Sequence, residues 1–153
     1  MTKNKLQIKQ GFTLIEMLVV ISLIGILAAM ALVSFSSVQK QARDTTRKSD
    51  LKQYQTATES YASKNNGNYP IANPAQVASS GTYCTALNIG VCPADPKTGT
   101  LDYRYVSTGG INYVIWGTLE NKTPAVYWVG CSNGKVAERA VVPPNNSSVC
   151  PIP

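Results

Sequence analysis

Histidine is absent from this chain. Without it there is no His-based catalytic triad and no Cys/His zinc site. No Gly-rich phosphate-binding loop is present either. No convergent catalytic set can be assembled, so an enzyme is the least expected class. Acidic residues are also scarce, with 8 Asp plus Glu against 14 Lys plus Arg and a formal net charge of +6. Phenylalanine occurs twice, at Phe12 and Phe35, and the stretch between them is nearly devoid of charge.

That stretch, residues 12–35, is what the chain does have. It is about 24 residues long, or about 36 Å as a helix, enough to span a bilayer. Glu16 is its one ionisable side chain. An ionised carboxylate inside such a segment costs roughly 2.5–3.5 kcal/mol at the helix centre and less near an end. A segment needed only as an anchor would gain by losing Glu16, so its presence implies a partner for the carboxylate after insertion.

Lys9 to Ala29 reads KQGFTLIEMLVVISLIGILAA. This segment resembles the N-terminal signature of type IV pilins and the related pseudopilins, over about 20 residues. The resemblance implies that a prepilin peptidase cuts a basic leader, residues 1–11, between Gly11 and Phe12. It implies that Phe12 becomes an N-methylated terminus. It also implies that Glu16 is the assembly acid, which neutralises the terminal amine of a neighbouring subunit. In that family a proline often follows the glycine-containing stretch, and the helix loosens between the two. Here Gly25 is followed by Ala31-Leu32-Val33-Ser34 with no proline. Glycine costs about 1 kcal/mol in a helix and proline about 3, so a melted segment is not an expectation here.

Two plainer readings compete for the same residues. Ala29-Met30-Ala31 has the form of a signal-peptidase site and Lys3, Lys5 and Lys9 could serve as a basic n-region, but the apolar run is too long and contains Glu16. An uncleaved single-pass anchor meets the length criterion but leaves Glu16 without a purpose.

Orientation draws on two opposed signals. Lys40, Arg43, Arg47, Lys48 and Lys52 follow the apolar run and outnumber the leader lysines, which by count alone would hold the C-terminal part inside. The cysteines argue for an oxidising compartment. Cys84, Cys92, Cys131 and Cys150 all lie beyond the apolar run and lack CxxC spacing. Two disulfides are expected. Of three connectivities, Cys84–Cys92 and Cys131–Cys150 are favoured because each closes a short local loop, although sequence alone does not fix the pairing. The second loop is similar in arrangement to the disulfide-bounded C-terminal region of many pilins. Loss of the leader lysines would lower the charge to about +3, so the basic balance gives no reason to expect a specific nucleic-acid partner.

Residues 36–64 contain no Gly or Pro and end in Asn65-Asn66-Gly67-Asn68-Tyr69-Pro70, a strong stop. Leu51, Tyr54, Thr58 and Tyr61 recur at helical spacing and are expected to pack on the soluble body. Val38, Ala42 and Thr45 lie on nearly the opposite face and are expected to meet other subunits. The charges between Arg43 and Asp50 read as a solvated face with local ion pairs. Residues 71–96 read as an irregular connection. Strands are expected at Leu101, Tyr103 and Tyr105, over 111–119, over 125–131 and over 136–142, separated by turns. The fold class is therefore α+β: a long N-terminal helix, half membrane and half soluble, against a small antiparallel sheet of three or four strands. The known pilin architecture has the same plan. The domain plan is leader 1–11, membrane or filament-core helix 12–35, soluble helix 36–65 and globular head 66–153.

Other candidate chemistry is thin. Asp95-Pro96-Lys97-Thr98-Gly99 followed by Asp102-Tyr103 resembles a segment of some major pseudopilins near a calcium site. Asp95 and Asp102 are weak candidates, too few for a dedicated site, so no cofactor or metal is expected. Asn121-Lys122-Thr123 and Asn146-Ser147-Ser148 match the glycosylation pattern by chance. Tyr127 and Trp128 are expected to be half core and half surface.

The expected function is a structural subunit assembled into a type IV pilus-type filament. Its expected partners are the prepilin peptidase, copies of itself or other pilins, membrane lipid before assembly, and pilus or secretion machinery. Before assembly it would be a single-pass cytoplasmic membrane protein with its head outside, and afterwards a surface or periplasmic filament. The alternatives are a pseudopilin of a type II secretion or DNA-uptake machine, and a monomeric tethered binding module, which would not need Glu16.

Overall fold

The computed structural model describes residues 11–97, 99 and 101–153. The leader residues 1–10 lie outside them. The chain divides into two compact units, Met1–Val38 and Gln39–Pro153. A first helix, α1, runs over Leu14–Lys64. It passes through Gly25 without a break, as the missing proline leads one to expect.

In the first unit the helix turns its apolar side chains outward on all sides. Phe12, Leu14, Ile15, Ile21, Leu27 and Met30 are all largely exposed. A helix apolar all round belongs in a protein core or a membrane. Among the described residues this is the one helix long and apolar enough to cross a bilayer.

The second unit is a five-stranded antiparallel sheet in the order β1-β2-β3-β4-β5, with the helical residues from Gln39 onward against one face. The strands are β1 (Ala72–Val77), β2 (Arg104–Ser107), β3 (Val114–Leu119), β4 (Val126–Cys131) and β5 (Val136–Arg139), with a short helix α2 (Gly81–Leu87) after β1. Strand alternation gives the sheet two apolar faces. On the helix side, Leu51 and Tyr54 pack with Tyr83, Tyr103, Tyr105, Tyr113 and Ile115. On the far side, Val106, Val114, Trp116, Val129 and Cys131 pack with Ala75, Tyr127, Cys150 and Ile152. The helix approaches the sheet closely where no side chain intervenes. A Cβ on Gly117 would lie 3.0 Å from Leu51 Cδ1 and from Tyr103 Cδ1, and one on Gly130 would collide with the Gln55 amide.

The first face is built from tyrosine, and each buried phenol has a partner. Tyr54 donates to the Pro93 carbonyl (2.6 Å), Tyr103 to Asp50 (2.7 Å), Tyr105 to the Pro70 carbonyl (2.9 Å) and Tyr113 to Glu59 (3.0 Å). Tyr83 shares a hydrogen bond with the Thr58 hydroxyl at 2.6 Å. The rings of Tyr83 and Tyr105 stack with centroids 3.7 Å apart. Burial pushes these five phenols well above their usual pKa.

Residues 71–96 are irregular only in part: 72–77 and 81–87 are regular, in contrast to the expectation, whereas 88–96 are not. Strand β1 hides in Ala72-Asn73-Pro74-Ala75-Gln76-Val77, whose proline and polar residues are tolerated because β1 is an edge strand with a register shift between Ala72 and Gln76. Strand β2 begins at Arg104, so Leu101 and Tyr103 precede it, and β5 ends at Arg139 instead of 142.

Of the charges from Arg43 to Asp50, Asp44 and Arg47 form the expected local ion pair, but both are buried instead of solvated. Arg47 is fully buried and clamps Asp95 bidentately at 2.6 and 2.9 Å, with Asp44 at 2.7 Å. Arg43 clamps Glu120 at 2.8 and 2.9 Å. Asp44 accepts from the backbone N–H groups of Glu120 and Asn121 at 2.7 and 2.8 Å, which fixes the β3–β4 turn. Arg43, Arg47 and Lys97 balance Asp44, Asp95 and Glu120, so the buried members of this cluster, Arg47, Asp44 and Asp95, are all paired.

Candidate functional site

Gly11, Phe12 and Thr13 precede the helix and lack helical backbone geometry. Thr13 then starts α1 as its N-cap. Its hydroxyl accepts from the Glu16 N–H at 3.3 Å, and Glu16 Oε2 accepts from the Thr13 N–H at 2.7 Å and from the Thr13 hydroxyl at 2.8 Å. This reciprocal arrangement is a capping box, with Glu16 at the third helical position. Thr13 is a functional neighbour that the sequence reading passed over. Its signal was present in Thr13-Leu14-Ile15-Glu16, a Ser/Thr-x-x-Asp/Glu pattern before an apolar run.

Ile15, Glu16, Val19 and Val20 of this helix, with Phe12 just ahead of it, line a shallow apolar hollow of about 380 Å³. The polar Ser22 is satisfied within the helix, donating to the Val19 carbonyl at 2.8 Å. That satisfaction makes the segment compatible with an apolar surrounding. The carboxylate of Glu16 stands out against it: an acceptor held by a local cap on a surface that is otherwise apolar.

In the second unit Leu51, Tyr54 and Thr58 are buried and Tyr61 half-buried, while Ala42 and Thr45 are exposed; Val38, in the first unit, is exposed as well. The disulfides join Cys84 to Cys92 and Cys131 to Cys150. Asp95 and Asp102 are not drawn into a shared ligand set. Both carboxylate oxygens of Asp95 are taken by Arg47, and among the described residues no group of three or more His, Cys, Asp or Glu is arranged to hold a metal ion. Tyr127 and Trp128 are both half-buried, on opposite faces of the sheet. Asn121 and Asn146 are exposed.

The family model described as the prokaryotic N-terminal methylation motif matches residues 7–32. Among curated proteins, the type IV major pilin protein PilA of Myxococcus xanthus (strain DK1622) is 39% identical over 64 residues, which is 42% of this chain and 29% of that pilin. The match thus spans less than a third of the relative's length. No solved structure matches the chain. A helix with this motif, carried into an antiparallel sheet, is the pilin-like plan. The chain thus carries a prokaryotic N-terminal methylation motif on a helix-and-sheet plan that is pilin-like, and part of it is similar to a type IV major pilin.

Proposed function

We propose that this protein is a subunit processed between Gly11 and Phe12 by a prepilin peptidase, N-methylated at Phe12, and assembled with copies of itself or other pilins into a type IV pilus-type filament. One observation carries the reading: a helical surface of large exposed apolar side chains in which the lone carboxylate, Glu16, is already ordered by Thr13. The bond to be cut lies outside the helix, where the backbone is free to enter a protease cleft. Cleavage would create an amine four residues from Glu16. Oε2 is held by the cap, and Oε1 remains to receive the amine of a neighbouring subunit.

Before assembly, membrane lipid would cover the apolar surface. In the filament, other helices would, with roughly 1.5–3 kcal/mol for each large side chain fully buried. The Glu16-to-amine contact would set register more than stability, since a buried ion pair gains little net energy. The two disulfides support a head outside the cytoplasm.

The test is the intact mass and N-terminal sequence of the protein recovered from membranes or the cell surface. A chain beginning at methylated Phe12 is expected. A start at Met1 or at Leu32 would overturn processing of this kind.

A further inference from the structure

The two edges of the sheet are finished differently. On β1, Pro74 has no N–H to offer, the register shifts between Ala72 and Gln76, and Ala75 N–H donates to the Asn145 carbonyl at 2.7 Å. Each of these closes an edge. On β5, the hairpin that precedes the strand sets which groups point outward. The Cys131 carbonyl accepts from Gly134 N–H at 3.1 Å, and Cys131 N–H donates to the Lys135 carbonyl at 3.0 Å, with Gly134 at φ 78°. That is a three-residue loop closed by a glycine bulge, and it makes Cys131 and Lys135 the first hydrogen-bonded pair. Hydrogen-bonded and non-hydrogen-bonded pairs alternate along an antiparallel ladder. Ala137 and Arg139 therefore bond to Val129 and Tyr127, while Val136 and Glu138, opposite Gly130 and Trp128, turn their N–H and C=O groups away from β4. Among the described residues no other backbone group bonds to those four.

Directly opposed residues share a face, so residues of an added strand that bond to Val136 and Glu138 would also point their side chains to the helix side. Two hollows flank the edge on that side. One, of about 180 Å³, lies between α1 and β5 and is lined by Lys48, Lys122 and Glu138. The other, of about 190 Å³, lies between α1 and the β4–β5 turn and is lined by Lys52, Gln55 and Gly134. Glu138 is shared by Lys48 at 2.6 Å and Lys122 at 3.7 Å, two cations to one anion, so a second carboxylate balances the set. A second copy's β5 would bring the same lysines against themselves, which like charge opposes. Nor does this sequence hold an acidic extended segment, since outside α1 its nearest carboxylates, Asp95 and Asp102, stand seven positions apart. The complement is a segment of another protein with carboxylates at alternate positions.

We propose that the β5 edge binds an extended acidic segment of a partner protein by strand addition, through the backbone of Val136 and Glu138, with the segment's carboxylates toward Lys48, Lys52 and Lys122. This docking surface stands apart from the processing and assembly reading, and either can fail alone.

The test uses the full chain in an uncharged detergent and a fluorescent peptide alternating glutamate and valine, with binding read by polarisation. The acidic peptide should bind, and the same peptide with lysine for glutamate should not. Methylating the glutamate nitrogens keeps the charge but removes the N–H groups that would face β5, and should weaken binding at least tenfold. Val136→Pro removes an outward N–H and no ladder bond, so it should weaken binding as much with an unchanged near-ultraviolet tyrosine signal. Val136→Thr, which keeps that N–H, should leave binding unchanged. If Val136→Pro loses the tyrosine signal, the methylated peptide decides. No binding of the acidic peptide overturns the proposal. Equal binding of the methylated peptide, or by a folded Val136→Pro protein, would mean general charge attraction and overturns it as well. Self-association of the full chain that Val136→Pro abolishes would give the edge to a second copy and overturns it too.

Discussion

In the first unit Leu14, Ile21 and Leu27 are more than half exposed, whereas in the second Leu51, Ile115 and Val129 have no exposed surface at all. The residue types are the same, so the difference lies in what the chain supplies as a neighbour. Beyond Gln39 it supplies a sheet with two apolar faces and two disulfides. Before that point the described residues supply a single helix. Exposed apolar surface on this scale must be covered by something else. The carboxylates sharpen the contrast. Asp95 is clamped by a buried guanidinium, while Glu16 has only the local cap of Thr13.

The largest expected effect comes from separating the two regions. A fragment beginning at Gln39 should be soluble and monomeric without detergent and keep the tyrosine near-ultraviolet signal, while the full chain should need detergent or lipid. Sedimentation of the two forms checks this, and an aggregated fragment would mean that the second unit depends on the first.

Next in size is Arg47→Ala. It leaves Asp95 and Asp44 buried without their cation, and the expected loss is about 3–5 kcal/mol. Replacing Arg47 by Met and Asp95 by Leu together should recover much of that loss, because the uncompensated charge goes with the pair. Chemical denaturation of the fragment reads both. If the single change costs under about 1 kcal/mol, the clamp is not what holds the helix to the loops.

Opening Cys131–Cys150 with a pair of serines should cost roughly 3 kcal/mol, since it frees a 19-residue loop and loosens Ile152 from the far-side core. The Cys84–Cys92 pair closes the shorter loop and should cost less, roughly 2.5 kcal/mol.

The smallest effect is on acid stability. The hydrogen-bonded Arg43 guanidinium holds the Glu120 carboxyl down to about 2. A depressed carboxylate contributes stability that is present above its unfolded value of about 4.5 and lost as pH falls toward its folded value. The melting temperature of the fragment should therefore be flat from neutral pH to about pH 5 and decline between about pH 4.5 and 2. Arg43 is partly exposed, so Glu120→Gln should remove only about 1–2 kcal/mol of that decline.

The order in which the chain could be understood follows the same division. The N-terminal helix and its end at Asn65-Asn66-Gly67 were legible because both are local: an uninterrupted apolar run and a stop signal. The motif that includes Gly11, Phe12 and Glu16 was legible because it too is local. The tyrosine face was half legible, since Leu51, Tyr54 and Thr58 recur at helical spacing while their partners on β2 and β3 are set by register. What stayed hidden depends on distant residues. Arg47 reads as one charge in a polar helix until Asp95, 48 positions away, is brought to it. Strand β1 reads as a loop because proline is allowed on an edge, and edges are defined by the fold.

The contrast between the two units rests finally on what covers the exposed apolar helix. Lipid alone has no use for Glu16, whereas the proposed packing against other subunits would give it an amine to meet. The direct measurement is the amount of filament sheared from cells carrying Glu16→Leu or Glu16→Ala, set against the amount of the same protein in the membrane. Membrane levels equal to the parent with filament yield reduced at least tenfold is the expected result. Undiminished filament yield in both variants would contradict the account.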